Sequence, residues 1–241
     1  MRYKIIFSYD GSDYFGYAKQ PNKKTIQGEI EGVLATIFQK EVGIFASGRT
    51  DKGVHALNQV AHFDLDKEVD LDKLLISINK LLPDDIFVKK IEKVEENFHS
   101  RFSAKSKIYE YVINFGEYNP LKRNFEYNFK NIDIEKMKSA SKLFIGTHNF
   151  QNFTSKEEDE ENFIRRIESI DFNIQDNVLK IEFLGNGFMK YQVRKIVGVL
   201  LEVGKQKIDE KYILEFLNKS ERDIVTFTAP SQGLYLKKVI Y

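Results

Sequence analysis

The stretch VGIFASGRTDKGVHALNQVAHFDLD, residues 42–66, places a short charged segment between two apolar runs. Four ionisable side chains lie close together in it: Arg49, Asp51, Lys52 and His55. Asp-Lys-Gly suits a tight turn, and on that interpretation Arg49 forms a surface ion pair. In the functional alternative, the preceding strand delivers Asp51 to a cleft where a fixed cation keeps the carboxylate ionised. The local pattern leaves both interpretations open.

The apolar runs on either side of this segment predict two strands of a sheet. Residues 42–49 predict a strand that carries Phe45, Ser47 and Arg49 on one face, because alternate side chains of a strand point the same way. Residues 58–66 predict the next strand, after the turn. The charged segment would then lie at the mouth of the sheet.

Working outward, the first part of the chain predicts mixed α and β structure. Strands are expected at 2–9 and 85–95. One helix is expected to begin at Thr25, and a second helix is expected to begin at Asp70 and to end before Pro83. The first helix carries apolar residues at helical spacing: Ile26, Ile30, Val33, Leu34, Ile37 and Phe38.

A comparable order of elements begins again near residue 106. The expected strands are 107–115, a hairpin of 162–174 and 178–185, and 234–240, and the expected helices are 133–144, 189–203 and 208–218. Residues 155–163 are rich in charge and predict a solvated surface loop. The chain is thus expected to form two α+β halves, 1–105 and 106–241, each an antiparallel sheet with helices on one face.

Composition limits the class of protein. Lysine and arginine total 37 and aspartate and glutamate 36 among 241 residues, so any basic surface must be a local patch. The absence of cysteine excludes disulfides, thiolate metal sites and a cysteine nucleophile. No stretch approaches the ~18 apolar residues of a membrane span, and Asp10 interrupts an N-terminal run too short for a signal peptide. We expect a cytoplasmic protein without a membrane partner.

Metal and phosphate-loop motifs are not apparent. The histidines form no HxH or HxxxH pair, acidic residues lack metal-ligand spacing, and no glycine-rich phosphate loop is present. Any catalysis is therefore expected to use carboxylate, hydroxyl and guanidinium groups, with no metal and no organic cofactor.

Residues of the second half offer further candidates, each with a structural alternative. Tyr109 and Tyr111 share a strand face, where they either join the core or form a stacking wall for a flat base. Arg194 lies beside an apolar helical stripe, where it either snorkels into water or faces a carboxylate in a cleft. A local basic surface is expected from the following residues: Arg165, Arg166, Lys190 and Lys195.

Six motifs, in order, resemble the tRNA pseudouridine synthase A family. GRTDKGVHA, residues 48–56, is similar to the family's catalytic loop and is the most specific match. The others are YDGSDYFGY with TIQGEIE (9–31), KIYEY (107–111), FIGTHNF (144–150), GNGFMKYQVRKIVG (185–198) and APSQGLYL (229–236). The chain departs from the family at Tyr17-Ala18, where Trp-Gln is common, and at Asn149, where Asp is common. Gln151-Asn152-Phe153 replaces a serine-rich run.

The resemblance implies two ferredoxin-like, RRM-like halves flanking a central basic cleft, usually in a homodimer. It implies isomerisation of uridine to pseudouridine in the tRNA anticodon stem-loop, at positions 38, 39 and 40 by convention, without metal or cofactor. Asp51 would be the catalytic carboxylate, acting either as nucleophile or in removal of a sugar proton. Arg194 would pair with Asp51, Tyr109 would pack against the target base, and Arg49 would help to displace that base.

Two other classes of function compete with this interpretation. An RNA-binding module without catalysis would also use ferredoxin-like halves, although no RNP1-type aromatic run is present. A hydrolase using Asp51 would need a partner carboxylate, and none is placed to serve.

Overall fold

The computed structural model describes residues 1–155 and 162–241, so most of the expected surface loop at 155–163 lies outside the described residues. In chain order the elements are β1 (Arg2–Tyr9), α1 (Ile26–Phe38), β2 (Phe45–Ala46), β3 (His55–Asp64), α2 (Leu71–Leu81), β4 (Ile86–Val94), β5 (Ser106–Asn114), β6 (Tyr127–Asn128), α3 (Ile134–Ser141), β7 (Gly146–Asn149), β8 (Ile164–Gln175), β9 (Val178–Gly185), α4 (Gln192–Gly204), α5 (Glu210–Asn218) and β10 (Leu234–Ile240). This mixture of helices and mainly antiparallel strands confirms the predicted α+β class.

The chain divides into two compact units. The first comprises Met1–Lys105 and Tyr235–Tyr241, and the second comprises Ser106–Leu234. The second unit therefore differs from the expected half 106–241 at its C-terminal end. The reason is that β10 pairs in parallel with β3, and the Lys105 N–H donates to the Ile240 carbonyl over 2.8 Å.

The first unit follows the order β-α-β-β-α-β of ferredoxin-like folds before β10 is added. Its strands lie in the order β4-β1-β3, with β1 antiparallel to both neighbours. Every second residue of β1 is buried, and these residues form part of the core: Tyr3, Ile5, Phe7 and Tyr9. Both helices begin as predicted, since the side chains of Thr25 and Asp70 accept hydrogen bonds from the backbone N–H groups of Gly28 and Lys73.

The strand predicted at 42–49 is wrong in length and in facing. Only Phe45 and Ala46 pair with β3, and Phe45 is exposed whereas Ser47 is buried. The edge of β3 is divided between two partners, because β2 lies beside Ala61 and His62 while β10 lies beside the beginning of the strand. The Ser47 N–H still donates to the Val60 carbonyl of β3 over 2.8 Å, and the chain beyond it forms a loop.

The second unit contains the strand order β5-β9-β8-β7, in which all neighbours are antiparallel, and β6 pairs in parallel with β5. The predicted hairpin is confirmed as β8 and β9. The predicted helix at 189–203 begins later, at Gln192, because Tyr191 adopts a left-handed φ of 64°. The predicted helix at 133–144 ends at Ser141 and continues as a 3₁₀ turn.

Within the described part of the chain, none of the helices has the length and apolar character that crossing a membrane requires.

Candidate active site

The loop between β2 and β3 carries Asp51. Thr50 is buried, Asp51 is half-buried and Arg49 is exposed. The Val54 N–H donates to the Asp51 carbonyl over 3.1 Å, which confirms the predicted turn. Gly53 has a φ of 74°, a conformation that glycine adopts without strain. The turn leaves the Asp51 side chain partly accessible, so the turn and the functional interpretations are compatible.

Two hydrogen bonds tie Thr50 to the segment 9–17. Its hydroxyl lies 2.8 Å from the Tyr9 hydroxyl in a buried pair, and its carbonyl accepts from the Tyr17 N–H over 3.0 Å. Burial raises the pKa of Tyr9 to about 12, and hydrogen bonds with Thr50 and Gln59 oppose part of that rise. The Tyr9 phenol therefore stays protonated at neutral pH, and the residue before Asp51 is held from two sides.

Two glycines allow the segment 9–17 to approach the loop this closely. A Cβ atom on Gly11 would lie 2.0 Å from the Val54 carbonyl oxygen. A Cβ atom on Gly16 would lie 2.8 Å from the Thr50 carbonyl oxygen, and Gly16 also has a φ of 98°. Any side chain at these positions would separate the two pieces of backbone.

His55 links the same two segments at the start of β3. Its Nδ1 lies 3.1 Å from the Gly11 N–H group and 3.1 Å from Oδ1 of Asp10. The imidazole is buried and stacks on Tyr235, with 4.8 Å between the ring centroids. This histidine belongs to the packing of the loop rather than to an exposed charged surface.

Tyr109 lies on β5 in the second unit, opposite Phe183 of β9. Its ring packs edge-to-face with Phe188, with 5.2 Å between centroids, and the residue is 8% exposed. Tyr109 is therefore largely buried, and a small part of the residue is accessible.

Tyr111 shares the strand face of Tyr109 but is fully buried. Its hydroxyl donates to the Pro230 carbonyl over 2.7 Å. Burial raises the pKa of this phenol, and the positive charge of Arg194 opposes part of the rise. The expectation that Tyr111 takes part in a stacking wall for substrate is therefore corrected: it is a core residue that holds the 229–233 segment.

Arg194 is positioned on α4 by that same segment. Its Nε donates to the Ala229 carbonyl over 2.8 Å, and the Ala229 N–H donates to the Arg194 carbonyl over 2.9 Å. The guanidinium lies 5.0 Å from the centroid of the Tyr191 ring. The side chain is half-buried, so these contacts favour a positioned guanidinium over a snorkelling one.

Three predicted basic residues are at least partly accessible in the second unit. Arg166 and Lys190 are exposed, and Arg165 is half-buried. Arg165 Nη1 donates to the carbonyl groups of Asn162 and Ile164 over 2.8 Å each, which fixes the side chain along β8.

Lys195 does not belong to a basic surface, and that expectation is wrong. The residue is 7% exposed, and Nζ donates to the Val225 carbonyl over 2.6 Å. It falls beside Ile196 on the buried side of α4, where its ammonium group satisfies a backbone acceptor.

Departures from the family pattern serve packing and local turns in the second unit. Asn149 Oδ1 accepts from the Gln151 N–H over 3.0 Å at the end of β7. Asn152 is fully buried, where Nδ2 donates to the Phe216 carbonyl and Oδ1 accepts from the Asp223 N–H. Phe153 is also fully buried.

Tyr17, the other departure, is buried against Phe7, with 6.4 Å between ring centroids. Its hydroxyl has no hydrogen-bond partner among the residues that the structure describes. Burial raises the pKa of this phenol well above its usual value, so the group remains neutral.

The residues that hold the loop were not singled out from the sequence. Tyr9 and Asp10 lie far before Asp51 in the chain, and only the fold brings them to the loop, whereas Gln59 follows on β3 and donates to the Gly48 carbonyl over 2.9 Å. The available signal was the pair Gly11 and Gly16 in YDGSDYFG, which marks close backbone approach. Over residues 1–155 and 162–241, His, Asp and Glu form no group of three or more that could hold a metal ion.

A protein-family model described as tRNA pseudouridine synthase matches residues 5–103 and 140–241, which include the Asp51 loop and the helix that carries Arg194. The chain belongs to the tRNA pseudouridine synthase family. The family resemblance drawn from the six motifs is therefore confirmed.

Named relatives match this chain over nearly the whole length of both sequences. The tRNA pseudouridine synthase A of a Geobacillus species is 42% identical over 243 residues, covering 100% of this chain and 98% of the relative. Those of Listeria monocytogenes and Mycoplasma genitalium are 42% and 40% identical, again over 100% of this chain and 99% and 98% of the relatives.

Among solved structures, a chain from the crystal structure of a Cbf5-Nop10-Gar1 complex matches with a TM-score of 0.36 and 13% identity. The match covers 82% of this chain and 54% of that chain, about half its length. The family assignment rests on the sequence comparisons.

Proposed function

We propose that this chain is a tRNA pseudouridine synthase that isomerises uridine to pseudouridine in the anticodon stem-loop, at positions 38, 39 and 40. The observation that carries the proposal is the full-length match to the family, with GRTDKGVHA held as a rigid loop around Asp51. Relatives that are 42% and 40% identical over 100% of this chain and 98% of their own length are named tRNA pseudouridine synthase A.

The reaction breaks the glycosidic bond between C1′ and N1, turns the base, and forms a bond from C1′ to C5. The proton on C5 is then lost and N1 gains one, so substrate and product are isomers. A carboxylate assists by attacking C1′ or by helping to remove a sugar proton, and both versions need an ionised group at a fixed position. The half-buried Asp51, whose neighbour Thr50 is tied down in the core, fits that requirement.

We assign further roles by motif position. Arg194 is proposed as the cation that stabilises Asp51, and its bonds with Ala229 restrict where its guanidinium points. Tyr109 is proposed to pack against the target base through the small part of the residue that is accessible. Arg49 is proposed to help displace that base from its stack, because an exposed guanidinium beside the loop can take its place or hold its phosphate.

Substrate contact is proposed for the basic residues Arg165, Arg166 and Lys190, in a basic cleft. A homodimer is proposed as well, since an L-shaped RNA read by shape needs a large surface. Light scattering tests the dimer: a fully active monomer at working concentration would contradict it.

The decisive experiment is tritium release from tRNA labelled at C5 of uridine. Isomerisation frees the label as water, whereas RNA binding without catalysis, or hydrolysis of the glycosidic bond, leaves it on the base. Release that requires uridine at 38, 39 or 40 is the expected result. Absence of release from tRNA that the protein binds would favour a non-catalytic RNA-binding protein.

A further inference from the structure

A pair of lysines shares one aromatic ring beside the Asp51 loop. The Nζ atoms of Lys23 and Lys52 each lie 4.5 Å from the centroid of the Phe15 ring. The ring is 40% exposed, and both lysines are exposed. The two ammonium groups are therefore separated by no more than twice that distance, and both face water.

The ring is fixed relative to the loop. The Phe15 N–H donates to the Lys24 carbonyl over 3.0 Å, and Gln20 Nε2 donates to the Phe15 carbonyl over 2.8 Å, which closes the 15–24 segment on itself. The next residue, Gly16, contacts the backbone around Asp51 so closely that a Cβ atom there would lie 3.3 Å from the carbonyl carbon of Asp51. The lysine pair and Asp51 thus share one rigid scaffold.

Neighbouring lysines are neutralised, but this pair is not. Lys19 pairs with Glu31 over 3.2 Å, and Lys24 pairs with Asp85 over 3.6 Å. Within residues 1–155 and 162–241, neither Lys23 nor Lys52 makes an ion pair with a carboxylate. Two like charges held near one ring repel each other, and a bound anion would remove that repulsion.

We propose that Lys23 and Lys52, held over Phe15, form a phosphate-binding site for the RNA backbone next to the target uridine. The identity of the RNA rests on the proposed function, whereas the anion site rests on the geometry. A lysine ammonium is a compact donor suited to phosphate oxygens, and the ring face restrains it without using its outward N–H groups. Lys52 directly follows Asp51, so a phosphate held here flanks the nucleotide that reaches the carboxylate.

The salt dependence of RNA affinity tests this site. Each phosphate contact contributes roughly −0.7 to −0.9 to the slope of log K against log salt. Lys23→Gln and Lys52→Gln are each expected to flatten the slope by about that amount, and the double variant by about twice as much. Over a fourfold rise in salt, wild type should then lose affinity about threefold more than either single variant.

Lys80→Gln is the matched control. Lys80 is an exposed lysine at the end of α2 in the same unit, so its substitution removes one charge without touching the pair. Its slope should equal that of wild type. If the slopes of Lys23→Gln and Lys52→Gln also equal wild type, the phosphate site is wrong.

Phe15→Leu tests the ring at constant net charge. We expect a twofold to fivefold rise in the KM for tRNA with kcat within twofold, because the lysines lose their shared support. Phe87→Leu, at another exposed phenylalanine on β4, should change neither constant. An unchanged KM for Phe15→Leu would contradict the role of the ring.

Binding and catalysis are measured separately, so the two proposals fail in different ways. If wild type binds tRNA with the expected slopes but releases no tritium, the phosphate site stands and the proposed function fails. If wild type releases tritium but the lysine variants keep the wild-type slope, the function stands and the phosphate site fails.

Discussion

The hydroxyl groups of Tyr9 and Thr50 lie 2.8 Å apart in a buried hydrogen bond. One residue ends the first strand and the other immediately precedes Asp51, so the bond joins the core of the first unit to the candidate catalytic loop. The bond is therefore a means by which the fold restricts the position of Asp51.

Tyr9→Phe should lower both stability and turnover. Removal of the hydroxyl leaves buried acceptors with one donor fewer, which costs about 0.5–1.5 kcal/mol of unfolding free energy. Turnover should fall further than tRNA affinity, because Asp51 is positioned less well. The measurements are urea unfolding and single-turnover kinetics under saturating enzyme. A stability loss with unchanged single-turnover rate would make the bond purely structural.

Lys195 and Lys190 should respond in opposite ways to loss of charge. Lys195→Met leaves the buried Val225 carbonyl without its donor, at a cost of about 1–3 kcal/mol of stability, while the tRNA affinity of the folded protein is kept. Lys190→Gln, at an exposed position, should leave stability within about 0.5 kcal/mol and weaken tRNA binding at low salt. Filter binding and urea unfolding on both variants provide the comparison. Weaker binding by folded Lys195→Met would return this lysine to the basic surface.

This contrast shows what sequence could and could not predict. The starts of α1 and α2 were predictable because Thr25 and Asp70 bond to N–H groups three residues away. The burial of Lys195 was not predictable, because it depends on a contact with Val225, which lies thirty residues further along the chain. The strand at 42–49 was wrong because only Phe45 and Ala46 pair with β3, and pairing with a strand elsewhere in the chain cannot be read from the local apolar pattern.

For the candidate site, the motif around Asp51 was visible in the sequence, whereas its support was not. GRTDKG identifies the loop by local pattern, but the bonds from Tyr9 and His55 arise only when the first strand lies against it. For Tyr111, the sequence predicted the strand face but not the burial. Strand alternation placed it on the face of Tyr109 correctly, but alternation does not tell how deeply each of the two residues is buried.

His62 should make the first unit sensitive to mild acid. Its buried Nδ1 accepts from the Ser100 N–H over 3.2 Å, and burial, aided by the charge of Arg2, lowers its pKa to about 4. The unfolded chain takes up this proton near pH 6.5 and the folded chain does not. Stability is therefore complete above about pH 6.5 and falls as pH drops toward 4, by at most ~1.4 kcal/mol per pH unit.

Urea unfolding between pH 7 and pH 4.5 measures this effect, since that range lies above the pKa values at which most carboxylates titrate. His62→Asn keeps a hydrogen-bonding side chain but removes the titrating group, so its stability should change less across the range than that of wild type. If the unfolding free energies of the two proteins changed with pH in parallel, the pKa of His62 would not differ between the folded and unfolded states.

Tyr109→Phe separates stacking on the base from handling of the C5 proton. The variant keeps the ring and its packing against Phe188 but loses the hydroxyl. If the hydroxyl handles the proton, turnover should fall by roughly 10²–10⁴-fold while tRNA affinity is kept. Tritium release and filter binding on one preparation distinguish the outcomes. Wild-type turnover would leave stacking as the only role of Tyr109.

Asp51→Asn is the sharpest test of the candidate site. The amide keeps the size of the carboxylate but is a very poor nucleophile and a very poor base, so either version of the chemistry should stop. Affinity for tRNA should survive, because phosphate contacts dominate it and loss of an anion among basic groups does not weaken them. Asp72→Asn, at an exposed carboxylate on α2 in the first unit, is the matched control and should retain wild-type turnover.

Turnover and binding of Asp51→Asn must be measured on the same folded preparation, so that a misfolded loop is not mistaken for lost chemistry. Residual turnover within about tenfold of wild type corresponds to only ~1.4 kcal/mol of barrier, far less than loss of a covalent or proton-transfer group should cost. That outcome would reduce GRTDKG to a tight turn with a surface ion pair. Abolished turnover with intact binding would instead place the reacting group at Asp51, because the Asp72 control excludes a general effect of removing one negative charge.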